Sequence, residues 1–154
     1  RINLKQNTAV VTLKEEIDHV NAYLAIEKAR FAERLQVTIK CDDAAMSALL
    51  PSFTLQPLVE NAVKHGIAQR IEGGHLTLNV RCTTDNHIHI LVEDNAGLYK
   101  PKKEQHAGLG MDIVDKRLIH QFGQQVGLVI ECRTNQFTRM SFSIPHTHYH
   151  SHQG

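Results

Sequence analysis

The chain has 154 residues, of which 42% are hydrophobic and 21% are charged, and its formal net charge is +1. This size and composition are typical of one globular domain with a core of its own. The near-zero charge excludes a general attraction to nucleic acid or to an anionic membrane, so we expect no nucleic-acid partner. No apolar run approaches the roughly 18 residues of a membrane-spanning helix. The chain begins with Arg1 rather than Met, and we expect a piece of a longer protein.

The N-terminal part predicts a helix followed by a strand. The segment "TLKEEIDHVNAYLAIEKARFAERL" has a helical hydrophobic period. Thr12 and Glu15 predict a capping box at its start, in which each side chain accepts the other residue's backbone amide. "LQVTIKC" then alternates apolar and polar residues, which is the period of a half-buried strand.

The middle of the chain predicts a second helix and a hairpin. "DDAAMSALLPSF" is interpreted as a connection, and the helix after it is predicted to begin near Phe53. Pro57 falls in its first turn, where proline is tolerated because the early amides have no internal partner. "HLTLNVRC" and "HIHILVED" alternate on either side of a "TTDN" turn and predict an antiparallel hairpin.

The C-terminal part predicts a loop, a helix and two strands. "NAGLYKPKKEQHAGLG" has no period, and long loops of this kind are usually functional, often as lids. "MDIVDKRLIHQF" predicts a helix that ends at Gly123, and "GLVIEC" and "QFTRMSFSI" predict the closing strands. The predicted fold class is α+β, a two-layer α/β sandwich with helices on one face of a mixed, mostly antiparallel sheet.

The three cysteines, Cys41, Cys82 and Cys132, form no C-x-x-C pair, which argues against zinc and redox motifs. Each ends a predicted strand, so we expect small buried thiols in a reducing compartment.

Three short segments carry the residues with chemistry. In "ENAVKHG", Asn61, Lys64 and His65 are spaced to share one helical face, although a solvated helix edge explains this segment equally well. Asp94 ends a strand in "VEDNAG" and is able to accept from an exocyclic amine, although capping a turn is the commoner role of such an aspartate. "GLG" at Gly108 to Gly110 enters a helix, where backbone amides attract anions.

Together the three segments fit one nucleotide site. An asparagine amide is a suitable ligand for Mg²⁺, which also bridges phosphates. Asp94 would hold the base, and the lysine, the histidine and the glycine-rich helix entry would surround the phosphates. The long loop would then close over the ligand.

The order of "LQPLVENAVKHG", "VEDNAG" and "GLG", ending in "FTRMSFSIP", resembles the ATP-binding domain of histidine kinases, in the gyrase/Hsp90/kinase/MutL superfamily. The pattern "LxxEIxxVxxYLxIEKxRF" is similar to the LytS/YehU-type sensor kinases. The resemblance implies the histidine-kinase/Hsp90 ATPase fold, with ATP and Mg²⁺ as cofactors. The residues that it implies in the site are Asn61 for Mg²⁺, Lys64, His65, Gly108, Leu109 and Gly110 near the phosphates, Asp94 and Gly97 in the motif that bonds the adenine amino group, and Thr138 near the adenine. Glu60 lies beside the metal ligand and is kept as a candidate catalytic residue.

Two departures from the family pattern bear on activity. The usual D-x-G-x-G is Asp94, Asn95, Ala96, Gly97 and Leu98 here, which predicts a modest ATP affinity. Pro57 occupies the position where superfamily ATPases place the glutamate that activates water. This favours phosphoryl transfer to another acceptor, where catalysis is mostly positioning and charge neutralisation.

The resemblance also implies an organisation and partners. Residues 1–34 would lead from a missing phosphoacceptor region, and residues 35–145 would form the ATP-binding catalytic domain. The histidine-rich composition of residues 146–154 separately predicts a disordered tail. The phosphoacceptor histidine would lie upstream of Arg1, since His19 has no matching surroundings. A response regulator, a dimerisation segment and a place as the cytoplasmic domain of a bacterial inner-membrane sensor kinase complete the expectation.

Two alternatives stay open at the level of sequence. One is an ATP-driven conformational switch of the same fold. The other is a non-catalytic interaction or metal-binding module, which the alternating histidines at the C-terminus favour, namely His146, His148, His150 and His152.

Overall fold

The computed structural model describes residues 9–101 and 110–146. These residues form three α-helices and seven strands, with short 3₁₀ turns between them. In chain order the elements are β1 (Val10–Thr12), α1 (Leu13–Phe31), β2 (Leu35–Cys41), β3 (Leu49–Pro51), α2 (Leu55–Lys64), β4 (Gly74–Cys82), β5 (His87–Asp94), α3 (Met111–Phe122), β6 (Val129–Arg133) and β7 (Phe137–Pro145).

The main sheet has five strands in the order β2-β4-β5-β7-β6. β2 runs parallel to β4, and the other neighbouring pairs are antiparallel. The predicted hairpin is β4 with β5, joined at the "TTDN" turn, where the Thr83 amide donates to the His87 carbonyl over 2.8 Å. The prediction of a mixed, mostly antiparallel sheet is confirmed.

Burial alternates strictly along the central strands, so one face of the sheet is covered and the other is half-exposed. The covered face packs against the helices, and the apolar side chains of α1 and α2 join the strand residues in one core. Leu13, Val20 and Leu58 are among the side chains at or below 1% exposure in that core. The two-layer sandwich with helices on one face is therefore confirmed.

The helix signals correctly predicted the start of α1 and both ends of α3. Thr12 Oγ1 accepts the Glu15 amide over 3.2 Å, and Glu15 Oε1 accepts the Thr12 amide over 2.9 Å, so the capping box is confirmed. α3 has the predicted bounds, and Gly123 ends it with a φ of 111° that favours glycine.

The connection predicted before α2 is wrong, because it contains a strand. β3 pairs antiparallel with β1 in a separate two-stranded sheet that the sequence did not indicate. Strands of three residues are too short to show a period of two. α2 itself begins at Leu55 rather than near Phe53, and the first helix ends at Phe31 because the chain then forms a 3₁₀ turn.

The expectation of buried thiols is only partly right. Cys41 and Cys82 are half-buried and Cys132 is exposed, because it lies on the edge strand β6. All three are free, and burial raises the pKa of the Cys41 thiol, with the neighbouring Asp42 carboxylate adding to the effect. No helix in the described ranges is long and apolar enough to cross a membrane.

Candidate nucleotide-binding site

Asp94 is a buried carboxylate at the end of β5, with 2% of its surface exposed. Its Oδ1 accepts the amides of Ala96 over 2.9 Å and of Gly97 over 3.1 Å, which turns the chain sharply after the strand. Thr138 is its partner across the ladder to β7 and is equally buried. The structure therefore brings these two predicted site residues side by side.

The pKa of the Asp94 carboxyl is raised above its ordinary range, and burial is the largest cause. The hydrogen bonds from the Gly97 and Ala96 amides act in the opposite direction, as does the backbone of Thr138, while the Glu93 charge raises the pKa further. A buried carboxylate of this kind gains from a ligand that donates a hydrogen bond to it.

The turn after Asp94 uses its single glycine where the backbone requires one. Gly97 has a φ of 66°, and a Cβ atom there would lie 2.4 Å from the Arg133 carbonyl oxygen. Ala96, which stands at a family glycine position, is fully buried and does not have a positive φ. Asn95 fixes the turn to the neighbouring strand, since its Oδ1 accepts the His75 amide over 2.8 Å.

The C-terminal end of α2 lies against the Asp94 carboxylate. A Cβ atom on Gly66 would lie 2.6 Å from the Ala62 carbonyl oxygen and 3.1 Å from Asp94 Oδ2. The absence of a side chain at Gly66 therefore lets the backbone after α2 approach the carboxylate closely. We did not predict Gly66 as a site residue, although it ends the motif "LQPLVENAVKHG", and its position after a helix was the available signal.

Asn61 and His65 lie one turn apart at the same end of α2. The His65 amide donates to the Asn61 carbonyl over 3.0 Å, so His65 continues the last turn of the helix as its C-cap. Asn61 is half-exposed and His65 is exposed. The predicted shared face is thus geometrically possible even though the helix ends at Lys64.

Lys64 also contacts Glu60, one turn earlier on α2. The Lys64 ammonium lies 4.0 Å from Glu60 Oε1, and Gln56 Nε2 donates to Glu60 Oε2 over 2.9 Å. The charge of Glu60 also reaches Tyr23 on α1, whose hydroxyl is buried without a hydrogen-bond partner in the described structure. Burial is the first cause that raises the pKa of Tyr23, followed by the charges of Glu27 and Glu60.

Gly110 is the N-cap residue of α3, and a Cβ atom on it would meet no atom of the described residues within 4 Å. Open space at a helix N-terminus suits the approach of an anion. Gly108 and Leu109, together with the tail histidines from His148 onward, lie outside the described residues.

The residues that are placed fit a nucleotide. A buried acceptor suits an exocyclic amine, and the asparagine amide on the adjoining helix is a hard oxygen ligand of the kind that Mg²⁺ takes. The described ranges contain no cluster of three or more His, Cys, Asp or Glu that would hold a metal ion by protein ligands alone.

The sequence matches the models of two known protein families. Residues 46–148 match the family described as "Histidine kinase-, DNA gyrase B-, and HSP90-like ATPase", and residues 1–35 match the family described as "Histidine kinase". The chain belongs to the histidine kinase-, DNA gyrase B- and HSP90-like ATPase family. It is the ATPase domain of a histidine kinase, which implies the use of ATP.

Named relatives agree with this assignment. The chain is 47% identical over 145 residues to the sensor histidine kinase BtsS of Escherichia coli K12, covering 94% of this chain and 26% of BtsS. It is 33% identical to the sensor histidine kinase/phosphatase LytS of Staphylococcus aureus MRSA252, covering 87% of this chain and 24% of LytS. The chain thus spans about a quarter of the length of these relatives.

Solved structures show the same fold at low identity. The catalytic domain of histidine kinase ThkA has a TM-score of 0.61 at 17% identity and covers 92% of this chain and 98% of its own. The mycobacterial sensor histidine kinase MprB has a TM-score of 0.61 at 15% identity, with coverage of 92% and 99%.

Proposed function

We propose that this histidine-kinase ATPase domain binds Mg·ATP with the adenine at Asp94 and the phosphates beside the end of α2. It would present the γ-phosphoryl group to a histidine that the described structure does not contain. The observation that carries this proposal is the buried Asp94 carboxylate, with the end of α2 at Gly66 packed closely against it. A buried acceptor of this kind suits a ligand that carries an amine donor.

Asp94 would also select the base. The adenine amino group donates a hydrogen bond to the carboxylate, whereas guanine presents a carbonyl oxygen at the same position. Two acceptors facing each other in a buried site are strongly unfavourable, and sites of this kind discriminate by large factors. Thr138, which pairs with Asp94 across the ladder, would line the same part of the pocket.

The phosphates would be held by groups near the ends of α2 and α3. Mg²⁺, when bound, neutralises phosphate charge, and the Asn61 amide is its proposed protein ligand. His65 and Lys64 would contribute further donors, and Gly110 would present the backbone at the N-terminus of α3 with Gly97 supporting the base side. We also propose phosphate contacts for Gly108 and Leu109. Glu60 is kept as a candidate catalytic group, although its side chain contacts Gln56 and Lys64 on its own helix.

Pro57 favours transfer to a protein acceptor over hydrolysis. It lies in the first turn of α2, where a dedicated hydrolase would carry its acid four residues before the metal ligand. Catalysis would then depend on positioning and charge neutralisation. A steady Mg²⁺-dependent release of phosphate well above background would instead support the alternative of an ATP-driven conformational switch.

Partners and location follow from the relatives only as proposals. Histidine kinase ThkA has been solved in complex with the response regulator protein TrrA, in a structure with a TM-score of 0.62 and 18% identity to this chain. By analogy we propose a cognate response regulator for this kinase too. We further propose a dimer through the phosphoacceptor segment and a cytoplasmic position in an inner-membrane sensor kinase. Residues 35–145 would be the catalytic unit, with 1–34 leading into it.

The test is calorimetric titration with ATP and GTP, each with and without Mg²⁺. We expect the parent chain to bind ATP and to reject GTP, and Asp94→Asn to lose ATP binding. At a ligand concentration of about 100 times Kd, bound ATP adds about 2.7 kcal/mol to the unfolding free energy, which corresponds to a rise in Tm of about 5–10 °C.

Asp85→Asn is the matched control, because Asp85 lies in the exposed turn between β4 and β5. It should bind ATP as the parent does. Equal ATP affinity in the parent and in Asp94→Asn would refute the assignment of the base pocket.

A further inference from the structure

Glu16 is a buried acid in the first turn of α1 that binds a different helix. Only 2% of its surface is exposed. Its Oε2 accepts the Phe53 amide over 2.8 Å, and its Oε1 accepts the amides of Thr54 and Leu55, each over 2.9 Å. One carboxylate therefore takes three consecutive backbone donors at the beginning of α2.

α2 has no cap of its own. Thr54 is the N-cap residue, but its hydroxyl donates to the Pro51 carbonyl and makes no capping bond. The first amides of a helix lack internal partners, and the positive end of the helix dipole favours an anion there. The carboxylate of Glu16 supplies both the acceptors and the negative charge from another part of the chain.

The hydrogen bond from the Phe53 amide to Glu16 also stabilises a strained backbone conformation. Phe53 has a φ of 59°, which a bulky residue rarely adopts, and its ring is 55% exposed. The bond from its amide to Glu16 fixes this conformation at the entrance to α2. The entrance is also tied to the N-terminal strand, because Val10 pairs with Pro51 and the Ser52 amide donates to the Ala9 carbonyl over 2.8 Å.

We propose that Glu16 is a positioning residue for Asn61. By fixing the first turn of α2 to α1, it sets where the helix places the Asn61 amide on Mg²⁺. Asn61 lies about 9 Å along the helix axis from Leu55, since a helix rises about 1.5 Å per residue and moves as a rigid rod over that length. Mg²⁺ demands nearly ideal octahedral geometry, so a small displacement of the helix costs affinity. This inference rests on the proposed function.

The test is a double-mutant cycle between Glu16→Gln and Asn61→Ala, read out as the ATP Kd of the folded 154-residue chain with and without Mg²⁺. The glutamine keeps the shape but loses the charge and one acceptor. Loss of groups that orient a metal ligand typically weakens binding by about 10- to 100-fold. We expect Glu16→Gln to raise the Mg·ATP Kd by about tenfold and to leave the Mg²⁺-free Kd within about twofold.

In the Asn61→Ala background the effect of Glu16→Gln should shrink to about twofold or less, since the two residues act through one ligand. Glu27→Gln is the matched control. Glu27 is also a buried glutamate of α1, at 6% exposure, but its bond goes to Arg30 on its own helix. It should leave both Kd values unchanged.

The outcomes separate the two proposals. A parent chain without Mg²⁺-dependent ATP binding overturns the proposed function and this inference with it. A parent that binds Mg·ATP, with Glu16→Gln acting equally in both backgrounds or equally without Mg²⁺, overturns the inference alone and makes Glu16 merely structural.

A measurement on the unaltered chain covers the case in which Glu16→Gln does not fold. The amide NMR signals of Phe53, Thr54 and Leu55 should shift when Mg²⁺ is added to the ATP complex. Binding of the metal to Asn61 changes the position of α2 slightly, and this alters the hydrogen bonds that the three amides donate to Glu16. Signals that stay in place would also contradict the inference.

Discussion

At the scale of single residues, two glycines show how local space relates to the site. Gly66 lies beside the Asp94 carboxylate, whereas Gly127 lies beside Asp115, between α3 and β6. A Cβ atom would be crowded in both places, at 2.6 Å from a backbone oxygen in the first and at 3.0 Å from Asp115 Oδ1 in the second. Gly127, with φ −58° and ψ 163°, has backbone angles that any residue adopts, whereas Gly66, with φ −121° and ψ −86°, lies outside the regions that side chains favour.

We therefore expect Gly66→Ala to weaken ATP binding by at least about tenfold and Gly127→Ala to leave it unchanged. The methyl group of the first variant would lie 3.1 Å from Asp94 Oδ2 and push the carboxylate and the end of α2 apart. Overpacking of this kind also costs about 1–3 kcal/mol of unfolding free energy. Calorimetric Kd values for the folded proteins separate the two effects. An unchanged Kd in Gly66→Ala would place the base elsewhere.

At the scale of elements, the sequence predicted the helices and strands that show a regular hydrophobic period or a capping residue. α3 and the strands β2 and β5 were predicted with their observed bounds, and β4 to within one residue, because alternation and helical spacing are visible over seven or more residues. β1 and β3 have no such length, and their pairing depends on a contact between distant parts of the chain. The role of Glu16 was missed for the same reason, since in sequence it is only an acid in the first turn of a helix.

The capping box of α1 gives an element-scale prediction. Thr12→Ala removes the hydroxyl that accepts the Glu15 amide, and we expect a loss of about 1 kcal/mol in the unfolding free energy. Thr12→Ser keeps the hydroxyl and should stay close to the parent. Urea unfolding of the three proteins, at equal m-values, is the measurement. A Thr12→Ala chain as stable as the parent would mean that packing of α1 alone sets its beginning.

At the scale of the whole molecule, one buried charge influences how the fold responds to pH. Most carboxylates in the described ranges are exposed or paired, but Asp94 has a pKa raised by burial. In the unfolded chain the pKa of an aspartate is about 3.9. Between that value and its raised pKa, Asp94 holds more proton in the folded state than in the unfolded state. Its contribution to stability is thus fully present below about 3.9 and is lost as the pH rises through the raised pKa.

The pKa of the Asp85 carboxyl is shifted in the opposite direction, so Asp85 serves as the comparison. The hydrogen bond from the Thr83 hydroxyl is the main cause that lowers the pKa of this exposed carboxyl, so its contribution is present above about 3.9 and is lost as the pH falls. We expect the unfolding free energy of the parent minus that of Asp94→Asn to fall as the pH rises from about 4 to about 8. The unfolding free energy of the parent minus that of Asp85→Asn should rise or stay level over the same range. Because the folded site favours a proton on Asp94, a ligand that donates a hydrogen bond there relieves a cost that the empty domain carries at neutral pH. If the unfolding free energy of the parent minus that of Asp94→Asn rose with pH, the ionised carboxylate would already be stabilised by the protein without a nucleotide. The strongest physical reason for an adenine at this position would then be gone.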